Sequence, residues 1–217
     1  IITTGSAHSG QKLPIYSSSI QRIEILGTNL VFKNLKNVWH TDFHFMQEGI
    51  ASDILGTIGY GILKDYVFSI DYNKQIIILN NQTTLLANNE VIFSFLQSED
   101  SPNLPYIYLN LPKNKSIKAY FDTGTQGNIT LTDSIYSRIK GMDILTEYNK
   151  GIWYGQKLDD NTTCALKGLS YNNTIFNICN LDLKLSSENK IGLGYSFLKD
   201  YISTWDFKNK TITLSKE

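Results

Sequence analysis

A ten-residue segment occurs twice in this chain, and the two copies are separated by 135 positions. Residues 58–67, Ile-Gly-Tyr-Gly-Ile-Leu-Lys-Asp-Tyr-Val, match residues 193–202, Leu-Gly-Tyr-Ser-Phe-Leu-Lys-Asp-Tyr-Ile, at six of ten positions. The match continues at the same spacing in three further pairs: Asp71 with Asp206, Ile77 with Ile212, and Leu79 with Leu214. A repeat of this kind predicts a duplication, with two units of similar structure.

The length of the chain agrees with two lobes, and its charge and hydropathy limit its partners. Its 217 residues suffice for two lobes of about 100 residues each. We predict an N-terminal lobe at 1–97, a polar linker at 98–104 and a C-terminal lobe at 105–217. Twenty Lys and Arg residues balance twenty Asp and Glu residues, which argues against nucleic acid as a partner. No apolar run approaches the roughly 20 residues that a spanning helix needs, so we expect no membrane-spanning segment.

The local pattern predicts strands through most of both lobes. Charged residues make up 18% of the chain and aromatic residues 12%, a balance that favours folded β-structure over disorder. Short runs rich in β-branched and aromatic residues are bounded by Gly, Asn and Lys turns. Helix is predicted only at 60–66, 132–140 and 195–201. The predicted fold is therefore mainly β, with a few short helices.

One acidic residue, Asp122, follows an apolar strand and begins a glycine-containing turn. In the C-terminal lobe an apolar strand at 117–121 runs into Asp122-Thr123-Gly124-Thr125, and Ile191-Gly192-Leu193-Gly194 brings a second glycine 70 residues after the first. Asp-Thr-Gly alone is a weak signal, and the flanking strand and later glycine element strengthen it. Together the segments resemble aspartic proteases of the pepsin and retropepsin type, and the repeated segment is similar to that of bacterial two-lobed members.

The resemblance implies a bilobal pepsin-like acid protease fold of two duplicated β-barrel lobes. It also implies an aspartic endopeptidase that needs no cofactor or metal and acts on peptide or protein substrates. Asp122 and a second Asp would activate a water molecule, because two carboxylates about 3 Å apart share one proton. Gly124 would allow the tight turn. The Thr123 hydroxyl would join the two catalytic loops, and the Thr125 hydroxyl would contact the outer Asp oxygen.

The second Asp is not evident, because the N-terminal lobe contains no Asp-Thr-Gly. The sequence Gly-Gln-Lys-Leu occurs at 10–13 and again at 155–158, where the resemblance places a flap hairpin. Fifty residues separate Pro105 from Gly155, whereas nine precede Gly10. The N-terminal lobe thus lacks roughly 40 residues of its repeat. We expect a segment outside this sequence, upstream or on a second chain, to complete the lobe and supply the second Asp.

Two other arrangements remain open. Thr3-Thr4-Gly5 is a possible catalytic loop in which Thr replaces Asp, although Gly5 lies 54 residues before Gly59, compared with 70 in the other lobe. That arrangement would give an inactive pseudo-protease that binds peptides or proteins. In the other arrangement, two copies of the chain would each contribute Asp122.

The two predicted flap hairpins supply the remaining candidate site residues. In the first hairpin these are Ser6, His8, Ser9 and Gly10, and in the second Trp153 and Tyr154. The resemblance assigns such residues to substrate contact. Ordinary exposed turns explain them equally well.

Several other features of the sequence have simple structural explanations. His40, Asp42 and His44 alternate along a predicted strand and share one face, but a half-buried strand with a polar outer face explains them better than a metal site. Cys164 and Cys179 are either two buried thiols or one bridge between neighbouring strands. The Tyr and Asn content leaves a carbohydrate-binding β-protein as a remote alternative. The resemblance suggests a secreted, periplasmic or otherwise exported protein.

Overall fold

The computed structural model describes residues 3–6, 12–40, 58–80, 90–111, 115–149 and 162–216. In these ranges the chain is mainly β, which confirms the predicted fold class. The strands are β1 (Thr3–Ser6), β2 (Lys12–Glu24), β3 (Val31–His40), β4 (Val67–Asp71), β5 (Ile76–Asn80), β6 (Glu90–Ser94), β7 (Tyr106–Leu111), β8 (Lys115–Phe121), β9 (Asn128–Leu131), β10 (Leu145–Asn149), β11 (Thr162–Tyr171), β12 (Thr174–Leu185), β13 (Lys190–Leu193), β14 (Ile202–Asp206) and β15 (Thr211–Ser215). The helices are α1 (Tyr60–Leu63), α2 (Asp133–Ile139) and α3 (Tyr195–Leu198).

The chain forms two compact units, Ile1–Gly56 and Thr57–Glu217. In the first unit β1, β2 and β3 form an antiparallel sheet. The boundary between the units precedes the predicted linker at 98–104, because β4 and β6 share a sheet with the C-terminal strands β14 and β15. The lobe assignment itself stays a prediction.

The second unit contains a seven-stranded sheet that closes on itself. Its order is β10-β11-β12-β9-β13-β8-β7, and the pairing of Ser170 with Asn110 joins β11 to β7. Alternate residues of β7 and β8 point inward, as expected when one face of a strand is buried. Ile107, Ala119 and Phe121 are almost fully buried in this way. The closed sheet surrounds the main core and delivers the end of β8 to the site described below.

A five-stranded sheet, in the order β5-β4-β14-β15-β6, brings the two repeats together. β4 pairs antiparallel with β14, and Ser69 lies directly opposite Thr204, with their hydroxyl oxygens 2.8 Å apart. These two residues are separated by 135 positions, the spacing of the sequence repeat. The strands are therefore related by a local two-fold arrangement centred on this pair.

Aromatic contacts follow the same two-fold relation. The ring of Tyr60 packs edge-to-face on Phe207 at 4.9 Å, and the ring of Tyr195 packs edge-to-face on Tyr72 at 5.3 Å. Tyr60 stands 135 positions before Tyr195, and Tyr72 stands 135 positions before Phe207. The first residue of α1 thus contacts the residue that follows β14, and the first residue of α3 contacts the residue that follows β4.

In each repeat an Asp at the end of a strand accepts a hydrogen bond from the backbone of the turn that follows. The Asp71 carboxylate accepts a hydrogen bond from the Lys74 backbone N–H at 3.0 Å, and Asp206 accepts one from the Asn209 backbone N–H at 2.9 Å. The Lys74 backbone N–H lowers the pKa of Asp71, the opposing desolvation raises it, and the Lys74 side chain lowers it further. Because the net shift is downward, the carboxylate stabilises the fold above the ordinary Asp pKa, and this contribution is lost as the pH falls.

We expect Asp71→Asn to destabilise the chain at pH 7 and to have a smaller effect below about pH 4, where the wild-type carboxylate is itself protonated. Urea unfolding at pH 7 and pH 3 measures both differences. Asp65→Asn, at an exposed position, is the control and should change stability at neither pH. An Asp71→Asn effect of equal size at both pH values would contradict this assignment.

The two cysteines are unbridged in the structure. Cys164 is fully buried, whereas Cys179 is exposed. On β12 the buried residues Ile178 and Leu181 face the core beside β11, and Cys179 points away from them. Burial, with lesser effects of Glu147 and Asp182, raises the pKa of the Cys164 thiol to about 12. The two cysteines are therefore free thiols; Cys164 is buried and unreactive, whereas the prediction that both are buried is wrong for Cys179, which lies on the exposed face of β12.

In the described ranges, no helix has the length and apolar character needed to cross a membrane.

Candidate active site

Asp122 occupies the turn that follows β8. Its backbone N–H donates to the carbonyl oxygen of Leu193 at 3.2 Å, and its own carbonyl oxygen accepts from the Thr125 N–H at 3.3 Å. Its carboxylate oxygen Oδ1 accepts from the Gly124 N–H at 2.9 Å. The carboxylate is half-buried and held by the loop that it begins, so its position is set by backbone structure.

The glycine element lies beside this loop, as the resemblance implies. β13 runs between β8 and β9, parallel to the first and antiparallel to the second. Leu193 stands opposite Phe121, and Gly192 stands opposite both Tyr120 and Asn128. β13 is therefore inserted between the two strands that the Asp122 loop connects, although it comes much later in the chain.

Gly194 makes the closest contact with the loop. A Cβ at this position would lie 2.1 Å from the carbonyl oxygen of Thr125, which no side chain tolerates. The same carbonyl accepts from the Tyr195 N–H at 2.8 Å, and the Gln126 carbonyl accepts from the Ser196 N–H at 2.9 Å. The start of α3 is thus bound to the loop, and only glycine fits at the junction.

The repeat-related glycine has a different environment. Gly59 stands 135 positions before Gly194, and a Cβ built on it meets nothing within 4 Å among the described residues. In the C-terminal repeat this space is filled by Thr125 and Gln126.

The other predicted loop residues lie next to Asp122. Gly124 is exposed, and a Cβ on it would lie 3.3 Å from the Asp122 carboxylate, a close approach that favours glycine. Thr123 is exposed and Thr125 is half-buried. The hydroxyl roles that the resemblance implies for these two residues stay predictions.

A groove of about 640 Å³ opens beside Asp122. Lys118 and Tyr120 line it because they alternate with buried residues on β8 and share the outer face with Asp122. The Lys118 Nζ lies 3.9 Å from the ring centroid of Tyr106, and the Lys190 Nζ lies 3.3 Å from a carboxylate oxygen of Glu188. The remaining lining residues are Ser98, Ser101, Leu104 and Asn189. The groove is amphipathic and has two cations, two carboxylates and two aromatic rings at its wall.

Sequence reasoning missed these groove residues. The alternation of Lys118, Tyr120 and Asp122 along a predicted strand was the signal that could have identified two of them. The contribution of Glu188 and Lys190 depends on the pairing of β13 with β8, which the sequence does not reveal.

Antiparallel strands flank both predicted flaps. β1 and β2 flank residues 7–11, and β10 and β11 flank residues 150–161. His8, Ser9, Gly10, Trp153 and Tyr154 lie outside the described residues. Ser6 lies in β1, opposite Lys12.

Thr3-Thr4-Gly5 also lies in β1, where Gly5 pairs with Leu13. The segment is one arm of an antiparallel pair, unlike Asp122, which occupies a turn between strands. This pairing disfavours the alternative of a degenerate catalytic loop.

His40 ends β3, and Asp42 and His44 lie outside the described residues. Within the ranges that the structure describes, no three His, Cys, Asp or Glu residues are grouped closely enough to hold a metal ion.

Comparison with known proteins gives low similarities. No family model matches the chain, and no curated protein matches it. Among solved structures, a retropepsin-like aspartic protease from Rickettsia conorii matches 59% of this chain and 91% of its own, with 20% sequence identity and a TM-score of 0.36. Basic 7S globulin from soybean matches 59% of this chain and 42% of its own, with 11% identity and a TM-score of 0.36. The site is therefore interpreted from its own residues.

Proposed function

We propose that this chain is the larger part of an aspartic endopeptidase in which Asp122 is one of two catalytic carboxylates. One observation carries the proposal: the Asp122 carboxylate follows a buried strand, is held by the Gly124 N–H, and borders an open groove. The insertion of β13 between β8 and β9 supports it, because a catalytic carboxylate must keep its position during the reaction.

The proposed chemistry needs a second carboxylate. One member of the pair removes a proton from water as its oxygen attacks the peptide carbonyl carbon, and the other donates a proton to the carbonyl oxygen. The C–N bond then breaks, and the leaving nitrogen takes up a proton from the pair. In this proposal the second Asp comes from a segment outside this sequence that completes the N-terminal lobe. No described residue lies within 4 Å of a Cβ built at Gly59, whereas Thr125 and Gln126 of the Asp122 loop fill the equivalent space at Gly194, and this difference supports that view.

The groove beside Asp122 is the proposed substrate site. An extended peptide fits such a groove, and Tyr106 and Tyr120 offer apolar surface for its side chains. Export from the cytoplasm remains part of the proposal.

A second candidate function is a pseudo-protease that binds peptides without cleaving them. The absence of a second Asp-Thr-Gly from the 217 residues favours it. Because Thr3-Thr4-Gly5 lies in β1 and pairs with β2, this segment does not form the degenerate catalytic loop that the sequence offered for this candidate.

Peptide hydrolysis by material isolated from its natural source separates the two functions. Intact mass shows whether a further segment or second chain accompanies the 217 residues. We expect that completed material cleaves an unfolded protein substrate, and that a statine-type peptide, whose hydroxyl replaces the attacking water, inhibits cleavage. We expect no cleavage by the 217-residue chain alone. Completed material that binds the statine peptide without cleaving substrate would support the pseudo-protease instead.

A further inference from the structure

Two lysines lie side by side at one end of the groove beside Asp122. Lys118 on β8 and Lys190 on β13 are directly opposite each other, because the two strands pair in parallel with these residues in register. Both side chains line the groove. Neighbouring strands lie about 4.8 Å apart, so the two residues occupy one small region of the wall. Like charges opposite each other on paired strands repel, and an anion bound between them relieves the repulsion.

The two lysines differ in how their charges are balanced. The Lys190 Nζ lies 3.3 Å from a carboxylate oxygen of Glu188. The Lys118 Nζ lies 3.9 Å from the ring centroid of Tyr106, and it has no ion pair among the described residues. An aromatic ring attracts a cation but does not neutralise its charge. This end of the groove therefore has two cations and one carboxylate, an excess of one positive charge.

Asp122 lies too far from Lys118 to neutralise it. Lys118, Tyr120 and Asp122 alternate with buried residues along β8 and into the turn that follows. At about 3.3 Å per residue, Lys118 and Asp122 are about 13 Å apart, which exceeds the screening length of about 8 Å at physiological ionic strength. An extended peptide has nearly the same rise per residue. The substrate side chain that reaches Lys118 therefore belongs to a residue within about four positions of the bond beside Asp122.

We propose that the groove selects peptides with an acidic side chain, Asp or Glu, about two to four residues from the cleaved bond, and that Lys118 binds its carboxylate. Since the groove beside Asp122 is the proposed substrate site, this inference rests on the proposed function. Lys118 determines specificity: it forms an ion pair with the substrate and takes no part in the chemistry. The Tyr106 ring holds the ammonium group in place. Lys190 adds to the attraction, and Glu188 opposes it.

Binding of labelled peptides measures this preference without requiring cleavage. Each probe is a fluorescein-labelled peptide with a central statine-type residue, whose hydroxyl replaces the attacking water and fixes the position of the peptide. In one series a glutamate is placed in turn at each flanking position, and in the matched series a glutamine takes the same place. The protein is the 217-residue chain with any segment that accompanies it. Fluorescence polarisation at about pH 6.5, where the glutamate is ionised, gives Kd for every pair.

We expect glutamate to lower Kd about fivefold relative to glutamine at a position near the statine unit, which is the effect of one exposed ion pair. Lys118→Gln should remove this difference and leave the Kd of the glutamine peptide unchanged. Lys118→Arg keeps the charge and can stack on Tyr106, so it should keep the preference. Glu188→Gln should increase the preference, because a competing carboxylate is removed. Lys167→Gln, exposed on β11 and outside the groove lining, is the control and should change nothing.

A glutamate preference below about twofold at every position, or an equal preference in the wild type and in Lys118→Gln, would overturn the proposal. Failure of both peptide series to bind would overturn it as well. The outcome is separate from the test of catalysis. Preferential binding of the glutamate peptides without any cleavage supports the role of Lys118 and argues against the endopeptidase, whereas cleavage of an unfolded protein without the preference does the reverse.

Discussion

Asp122→Asn is expected to reduce peptide hydrolysis by roughly 10⁴-fold while leaving the fold intact. Asparagine keeps an oxygen that accepts the hydrogen bond from the Gly124 N–H at 2.9 Å, so the loop retains its geometry. It cannot take or give the proton that the proposed reaction requires. The loss should therefore appear in kcat at every pH, with little change in KM.

The measurement is kcat/KM on a defined peptide, made with material that contains the completing segment, together with urea unfolding of each variant. Asp133→Asn is the matched control, because Asp133 is exposed at the start of α2 and does not line the groove beside Asp122. It should retain full activity. Hydrolysis by Asp122→Asn within a few-fold of the wild type would refute the proposed role of Asp122.

Gly194→Ala is expected to destabilise the chain by about 3 kcal/mol or more. The added Cβ would lie 2.1 Å from the Thr125 carbonyl oxygen, and both sides of that contact are backbone. Relief requires moving either α3 or the Asp122 loop, and two backbone hydrogen bonds to Thr125 and Gln126 oppose the movement. The same displacement would move the carboxylate, so activity should fall as well.

Gly59→Ala is the control that the repeat provides. In the 217-residue chain a Cβ at Gly59 meets nothing within 4 Å among the described residues, so its stability should change by less than about 1 kcal/mol in either direction. Urea denaturation of both variants supplies the comparison. Equal destabilisation by the two substitutions would show that the loss reflects glycine removal in general and has no connection with the packed loop.

The sequence predicts the mainly β class and the Asp122 loop because both depend on local information. The repeat at an offset of 135 specifies related strands without knowledge of their partners, and the pairing of Ser69 with Thr204 agrees with it. The Asp122 loop can be recognised in the sequence because an apolar strand, an acidic residue and a glycine are contiguous. Only the family resemblance predicted that the glycine element at 191–194 lies beside this loop.

Other features depend on which distant strands are neighbours. The groove combines Tyr106 from β7 with Lys190 from β13, and these lie on opposite sides of β8. No periodicity within one strand specifies that combination. Whether Cys164 and Cys179 are free or bridged depends on the face of the sheet to which each side chain points. Register irregularities between β11 and β12 prevent the sequence from showing which face that is.

The central pairing of β4 with β14 has a consequence for how the chain reaches its folded state. β4 ends at Asp71 and its partner begins at Ile202, so the two strands meet only after the whole closed sheet between them has been synthesised. Contacts between such distant segments slow folding and leave an apolar strand without its partner in the meantime. We therefore expect β4 to gain its pairing with β14 only late in folding, after β14 itself has been synthesised.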